Sequence, residues 1–327
     1  MKKLWLVVPC YNEEEMIPIT YMTLKNKLKE LADRGLVSHE SRIAFVNDGS
    51  RDRTWELIEL YHEKDETVVG INLAHNRGHQ NALLAGLMVA KDRADVTVSL
   101  DADLQDDVNA IDGMLEEYRK GAEIVFGVRS SRQKDTFFKR VTAEGFYKFM
   151  RGMGVDTEFN HADFRLMSRR ALDALSEYGE SNLFLRGIAK DIGFKTAVVK
   201  YERSERVRGE SKYSLKSMVN LAGNGITSFS TKPLQVAFWL SVLCGICSVV
   251  FLVLGIVFCN LPADYLFENI ARFTNTFLVH HLFFILAGVF FVGGMILLAL
   301  SVLSMYIGRM YMESKERPRY HISDILE

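Results

Sequence analysis

Leu4-Trp5-Leu6-Val7-Val8-Pro9-Cys10-Tyr11-Asn12-Glu13-Glu14 is a short apolar run that turns polar just past a proline. Such a run reads as a buried strand with a polar loop at its carboxyl end. Behind Lys2 and Lys3 the apolar stretch is too short for a signal peptide, and it ends in Tyr11-Asn12-Glu13-Glu14-Glu15. The N-terminal part is therefore expected to stay in the cytoplasm.

The same unit recurs downstream. A helical stretch from about Glu13 to Arg34 leads to a strand over Arg42–Val46, which ends in Asn47-Asp48-Gly49-Ser50. A helix over Asp52–Lys64, with Asp52 as its cap, is followed by a strand over Thr67–Leu73 and a helix over Gly78–Lys91. A fourth strand, Val96–Leu100, ends in Asp101-Ala102-Asp103-Leu104-Gln105; a helix over Asp107–Lys120 and a strand over Glu123–Val128 follow. This alternation predicts an α/β domain with a mostly parallel sheet. In such sheets ligands bind beyond the carboxyl ends of the strands, so the three polar clusters should share one crevice. No G-x-G-x-x-G follows the first strand and no G-x-x-x-x-G-K-[ST] occurs, which disfavours dehydrogenase-type and P-loop nucleotide sites.

Composition divides the 327 residues into two parts. The whole is 25% charged with a net charge of -1, yet the 76 residues from Pro233 to Gly308 hold only Asp264, Glu268 and Arg272. The other 251 residues carry 78 charges. That distribution excludes an ordinary soluble enzyme, and the lack of a long apolar run before residue 233 excludes a multi-span transporter. The uncharged stretches Pro233–Ala263 and Leu282–Gly308 both exceed the roughly 20 residues a span requires. Two transmembrane helices are expected, at about 233–259 and 281–308. Lys232 before them and Arg309, Lys315, Arg317 and Arg319 after them place both termini in the cytoplasm and a short loop outside. The expected organisation is a catalytic domain over 1–212 with an interfacial helix near 136–151, a juxtamembrane amphipathic helix over 213–231, a membrane part over 232–309 and a cytoplasmic tail over 310–327. Near-zero net charge argues against nucleic acid as a partner. Cys10, Cys244, Cys247 and Cys259 make no disulfide framework; the C-x-x-C at 244–247 sits in apolar surroundings and reads as packing. His280 and His281 read as polar border residues.

Asp101 and Asp103, with Gln105 close by, suit Mg²⁺ or Mn²⁺, which takes one or two carboxylates and fills its shell with phosphate and water. Taken alone, D-x-D is equally a solvated turn. Asp48 and Glu13 add negative charge to the crevice, so a diphosphate there needs compensation. Arg129 and Arg132 offer it, as does Arg206-Val207-Arg208-Gly209-Glu210-Ser211-Lys212-Tyr213, a mixture of residue types that bind phosphate. Basic amphipathic stretches around 137–151 and 213–229 suit an anionic membrane face.

Together, Val7–Glu14, Val46–Asp52, Asp101–Gln105, Asp163-Phe164-Arg165-Leu166-Met167 and Arg206–Tyr213 resemble the family-two glycosyltransferases of GT-A (Rossmann-like) fold. Within them the likeness is to polyprenyl-phosphate glycosyltransferases of the bactoprenol glucosyltransferase type and, more distantly, to dolichol-phosphate mannose synthases. The likeness spans essentially the whole chain. It implies that Pro9, Tyr11, Asn12, Glu13, Asp48 and Ser50 hold the nucleotide. Asp101, Asp103 and Gln105 would hold the metal, with Asp101 and Asp103 also at the sugar diphosphate, and Asp163 would sit by the reacting centre. Arg129, Arg132, Arg206, Arg208, Ser211 and Lys212 would meet the phosphates of donor or acceptor. Asn160-His161-Ala162 stands before Asp163, where that pattern leads one to expect a small or Gly-rich approach. The implied reaction is inverting transfer of a hexose from a nucleotide sugar, UDP-glucose first and UDP-N-acetylglucosamine or GDP-mannose as alternatives, to a polyprenyl phosphate. The implied partners are that sugar nucleotide, the lipid, the membrane and further copies of the chain in a homo-oligomer. A processive polysaccharide synthase is disfavoured by the lack of Q-x-x-R-W, since Trp5, Trp55 and Trp239 follow Leu4, Thr54 and Phe238. A non-catalytic membrane scaffold is disfavoured by the intact carboxylates.

Overall fold

The computed structural model describes residues 1–129, 161–179, 185–202, 231–240 and 274–327, together with 242, 243, 246 and 250. Arg132, Arg206, Arg208, Ser211 and Lys212 lie outside the described residues. So do the helix expected near 136–151 and all but the last residue of the one expected over 213–231. The chain forms two compact units, one of Met1–Ser228 with Lys315–Glu327 and one of Phe229–Ser314.

The first unit is an α/β layer structure. Its strands are β1 (Leu4–Cys10), β2 (Arg42–Asn47), β3 (Val68–Leu73), β4 (Val96–Ser99), β5 (Ile124–Arg129), β6 (His161–Ser168), β7 (Thr196–Tyr201) and β8 (Ile322–Leu326). Its helices are α1 (Ile17–Asp33), α2 (Thr54–Lys64), α3 (His79–Lys91), α4 (Ala110–Arg119), α5 (Arg169–Ser176) and α6 (Leu185–Asp191). The eight strands make one sheet in the order β7-β5-β6-β4-β1-β2-β3-β8. The expected strands and helices of residues 4–128 all form, with ends shifted by a few residues. Asp52 lies outside α2, which begins at Thr54, but its Oδ1 accepts from the Thr54 amide at 3.1 Å and hydroxyl at 2.6 Å.

Burial explains the regular part. All seven residues of β1 are buried, as a strand covered on both faces requires. Helix α1 lays Ile17, Tyr21, Leu24, Leu28 and Leu31 on one face against the core. Helix α3 is nearly all apolar and lies directly on β1 and β2. A Cβ on Gly86 would come within 2.5 Å of Val7 and 2.6 Å of Val46, so only glycine permits that approach.

Two strands depart from the parallel expectation. β6 runs antiparallel between β4 and β5, pairing Ser99 with Arg165 and Val125 with Leu166. β8 pairs antiparallel with β3, Ile71 facing Ile325. Residues 315–327, most of the tail expected over 310–327, thus join the first unit, and β8 closes its sheet edge. Leu326 packs over Gly70 beside Ile58 and Trp55, where a Cβ would meet each within 3.2 Å.

In the second unit residues 232–240 are helical, and α7 (Thr274–Ser314) runs for 41 residues. Among the described residues one helix is long and apolar enough to cross a membrane, Phe291–Ser314. Its Phe291, Leu297 and Met310 are exposed. Two spans are therefore not established by the structure: most of the first, expected at about 233–259, lies outside the described residues. The loop expected before the second span is shortened, because α7 already begins at Thr274 and includes the backbone of His280 and His281.

Candidate active site

The crevice opens where β1 and β4 part. Val7 O accepts from Leu100 N at 3.1 Å, and Cys10 O accepts from Asp48 N at 2.9 Å. Odd residues of β1 thus face β4 and even ones face β2. The β1–β4 pairing ends at Val7 and Ser99, while β1–β2 continues to Cys10 and Asn47. Pro9 falls on the β4 side just past the end of that ladder, so its missing N–H costs no strand bond. Pro9 itself is buried in the strand. The strand order reverses direction here, which is where open α/β sheets bind ligands.

The residues expected at the nucleotide are brought together by one polar network. Asn12, at φ 52°, donates its amide to Ser50 Oγ at 3.0 Å, and its Oδ1 accepts from Arg51 N at 2.9 Å. Glu13 N donates to Thr54 Oγ1 at 2.9 Å, and Ser50 N to Asn47 Oδ1 at 3.2 Å. Tyr11, Glu13 and Ser50 are half-buried at the rim. Asp48 lies deeper than these rim residues. It is buried, and its Oδ1 and Oδ2 accept from the backbone amides of Arg77 and Gly78 at 2.7 and 2.9 Å. Burial outweighs these two bonds and holds its carboxyl above the ordinary range. Gly49, at φ 61°, lets the loop lie on the backbone of His75 and Asn76, where a Cβ would come within 2.6 Å of Asn76 N.

Asp101 and Asp103 follow β4 in a tight turn. Thr20 Oγ1 of α1 donates to Ala102 O at 2.7 Å, Leu104 takes φ 50°, and Gln105 N donates to Asp103 Oδ1 at 3.2 Å. Asp101 Oδ1 is shut off from solvent and accepts no hydrogen bond. Burial pushes the Asp101 carboxyl up to about 6, repulsion from Asp163, Asp106 and Asp103 adding to it and His79 opposing.

The antiparallel strand β6 delivers Asp163 to this point. Ser99 Oγ donates to Asp163 O at 2.5 Å, fixing the strand start beside the end of β4. Asp163 is buried, and Arg165 Nη2 donates to its Oδ1 at 3.0 Å. Arg165, also buried, donates Nη1 to Leu185 O at 2.8 Å, which ties α6 to the site. A residue that sequence reading missed stands between the two acids. His79 Nε2 lies 3.3 Å from Asp163 Oδ2 and 3.5 Å from Asp101 Oδ1. No spacing rule announces it; the polar Arg77-Gly78-His79-Gln80 cluster after β3 was the available signal.

Arg129, expected at a phosphate, is half-buried against Asp106, with Nη2 at 3.3 Å from Asp106 Oδ1 and Nε donating to Tyr201 Oη at 3.3 Å. Tyr201 Oη donates to the same Asp106 oxygen at 2.6 Å. Burial, and then the Asp106 charge, hold the Tyr201 phenol well above its usual range. This triad joins β5, β7 and the 101–106 turn.

A mostly parallel sheet with helices, an inserted antiparallel strand and carboxylates gathered at the β1–β4 crevice make this a GT-A-like α/β domain. Residues 5–176 match the family model "Glycosyl transferase family 2", and the chain belongs to that family. The chain is 44% identical to the uncharacterized glycosyltransferase YkoT of Bacillus subtilis (strain 168), over 98% of this chain and 90% of that protein. It is 39% identical to the bactoprenol glucosyl transferase of Shigella phage SfV, over 98% of both chains. With the prophage bactoprenol glucosyl transferase homolog of Escherichia coli (strain K12) it shares 38% identity over 99% of both.

Proposed function

We propose that this chain transfers glucose from a nucleotide sugar to a polyprenyl phosphate at a membrane surface, with inversion. What carries this reading is a likeness of 38–39% to proteins named for glucosyl transfer to bactoprenol, which extends over 98–99% of the chain and so includes the apolar unit.

The site residues support it. Asn12, Glu13 and Ser50 rim the crevice where a nucleotide would lie, with Pro9 and Asp48 shaping its walls and Tyr11 beside them. Among the described residues no three His, Cys, Asp or Glu side chains converge as a metal-ligand set. Two carboxylates still suit a hard cation that takes its remaining ligands from a diphosphate and water. Asp101 Oδ1, which is shut off from solvent and accepts no hydrogen bond, fits that role. Asp101, Asp103 and Gln105 would hold Mg²⁺ or Mn²⁺, which when bound neutralises charge on the leaving diphosphate. Arg132, Arg206, Arg208 and Lys212 supply the basic residues for the phosphates and Ser211 a hydroxyl, while Arg129 contributes through its hold on the turn. A phosphate monoester is largely ionised at neutral pH, its second pKa being about 6, so the acceptor needs little help from a base. Asp163, whose Oδ1 accepts from Arg165, orients that acceptor and takes any residual proton.

Chain connectivity supports a membrane topology of two spans with both termini on one side. Phe229–Ser314 begins and ends in the same α/β unit, because β8 is a strand of its sheet. A segment that leaves and rejoins one unit crosses a bilayer an even number of times. A polyprenyl phosphate gives the reason for an attached apolar unit, since exposing its chain costs about 0.8 kcal/mol per methylene.

The test is a donor panel. Membranes holding the protein are given undecaprenyl phosphate and labelled UDP-glucose, UDP-N-acetylglucosamine or GDP-mannose. Organic-soluble label from UDP-glucose is expected. Insoluble polymer points to a processive synthase, and no turnover with any donor points to a scaffold. Light scattering in detergent reads the expected homo-oligomer.

A further inference from the structure

The placement of His79 calls for a function. It is the first residue of α3, directly after Gly78, whose φ of 85° is a conformation that side chains other than glycine rarely take. Asp48 grips the amides of both Arg77 and Gly78, so a buried carboxylate at the end of β2 sets where α3 begins. The result is an imidazole Nε2 aimed between Asp101 Oδ1 at the end of β4 and Asp163 Oδ2 at the start of β6. Asp163 Oδ1 is already engaged by Arg165. A carboxylate held at one oxygen can still swing about that bond; held at both it cannot.

Building on the transferase reading above, we propose that His79 is a positioning residue, whose Nε2–H holds Asp163 Oδ2 and keeps that carboxylate aimed at the acceptor, apart from the donor-side Asp101. Two facing carboxylates this close repel, and without a donor between them Asp163 would turn away. His79 thus acts through Asp163, as the outer partner of a ligand or catalytic group commonly does; losing such a partner costs about 10- to 100-fold in activity.

The two amide variants separate this role from simple packing. The Gln amide nitrogen reaches the position of Nε2, while the Asn amide nitrogen stops near Nδ1. His79→Gln is expected to keep kcat within about threefold of wild type, and His79→Asn and His79→Ala to lose about 10- to 100-fold. At saturating Mn²⁺ and above pH 7, where the loss of His79 beside Asp101 no longer limits cation binding, KM for the nucleotide sugar and UDP affinity by calorimetry should stay within about twofold in all three, because the Asn12, Glu13 and Ser50 bonds are made without residue 79. The proposal is overturned if His79→Asn turns over like wild type, if His79→Gln is as impaired as His79→Ala, or if the loss appears in UDP affinity with kcat unchanged. Should His79→Ala fail to fold, the Gln and Asn pair still decides. Wild-type protein that moves no sugar onto polyprenyl phosphate overturns the transferase reading; an active wild type with an unimpaired His79→Asn overturns only the role of His79.

Discussion

At the scale of single residues, the site is a set of carboxylates whose environments differ. Asp101 carries an occluded oxygen and a pKa raised to about 6, so protons compete with a cation for it in the mildly acidic range. Mn²⁺ affinity in the presence of UDP is expected to hold steady above pH 7 and to weaken below pH 6, by up to about tenfold per pH unit. Calorimetry from pH 5 to 7.5 checks this, and Asp101→Asn should flatten the profile. Asp163 faces a different constraint, because Arg165 beside it is buried. Asp163→Ala strands that guanidinium and is expected to cost about 3–5 kcal/mol of stability, visible in urea unfolding. Asp163→Asn keeps the shape and should lose turnover with a smaller loss of stability; near-normal product would remove Asp163 from the reaction. Gly49 is a position in the site where the backbone requires glycine. Gly49→Ala combines a left-handed φ with a Cβ pressed on Asn76 N, and it should destabilise by about 1–3 kcal/mol.

At the scale of elements, polar ties between secondary structures set the positions of the loops. Asp65, after α2, accepts from Tyr21 Oη and pairs with Lys25 Nζ, both at 2.7 Å, and also from the Thr67 amide at 2.9 Å. Burial alone would raise its pKa, but Lys25 and the Thr67 and Tyr21 bonds outweigh it and hold the carboxyl far below the usual range. The folded pKa lies under the unfolded value of about 3.9, so the stabilisation is complete above that pH and fades as pH falls through it. Asp65→Asn is expected to cost about 2 kcal/mol at pH 7, and the gap to wild type should narrow below pH 4 in chemical unfolding. The strand–helix alternation of residues 4–128 was legible because each run has the period and the breakers of its type. β6 was hidden: Asp163-Phe164-Arg165 puts two charges into a buried stretch, and the pairing of Arg165 with Asp163 and Leu185 helps make that burial tolerable. β8 was hidden too, as five residues whose only warrant is an open sheet edge.

At the scale of the molecule, the C-terminal strand links the far end of the chain to the nucleotide loops. Asn72 Nδ2 donates to Asp324 Oδ2 at 3.3 Å, Asn47 Nδ2 donates to Asn72 Oδ1 at 2.8 Å, and Asn47 in turn holds Ser50, which holds Asn12. Ending the chain at residue 318 removes β8, exposes the β3 edge and should weaken UDP binding and promote aggregation; Asp324→Ala should lower UDP affinity only severalfold. Calorimetry and size exclusion read both. The sequence by itself determined the α/β class, the apolar unit, and the three polar clusters on one sheet edge, because hydrophobic period and charge depletion are local properties. It determined the D-x-D pair but not its surroundings. Only the tertiary structure placed Asp163 and His79 beside Asp101, set Asp48 on the Arg77 and Gly78 amides and Arg129 on Asp106, and folded residues 322–326 back onto β3. These outcomes depend on which strand edges and buried charges are left needing a partner once the rest has packed, and that is a property of the assembled sheet.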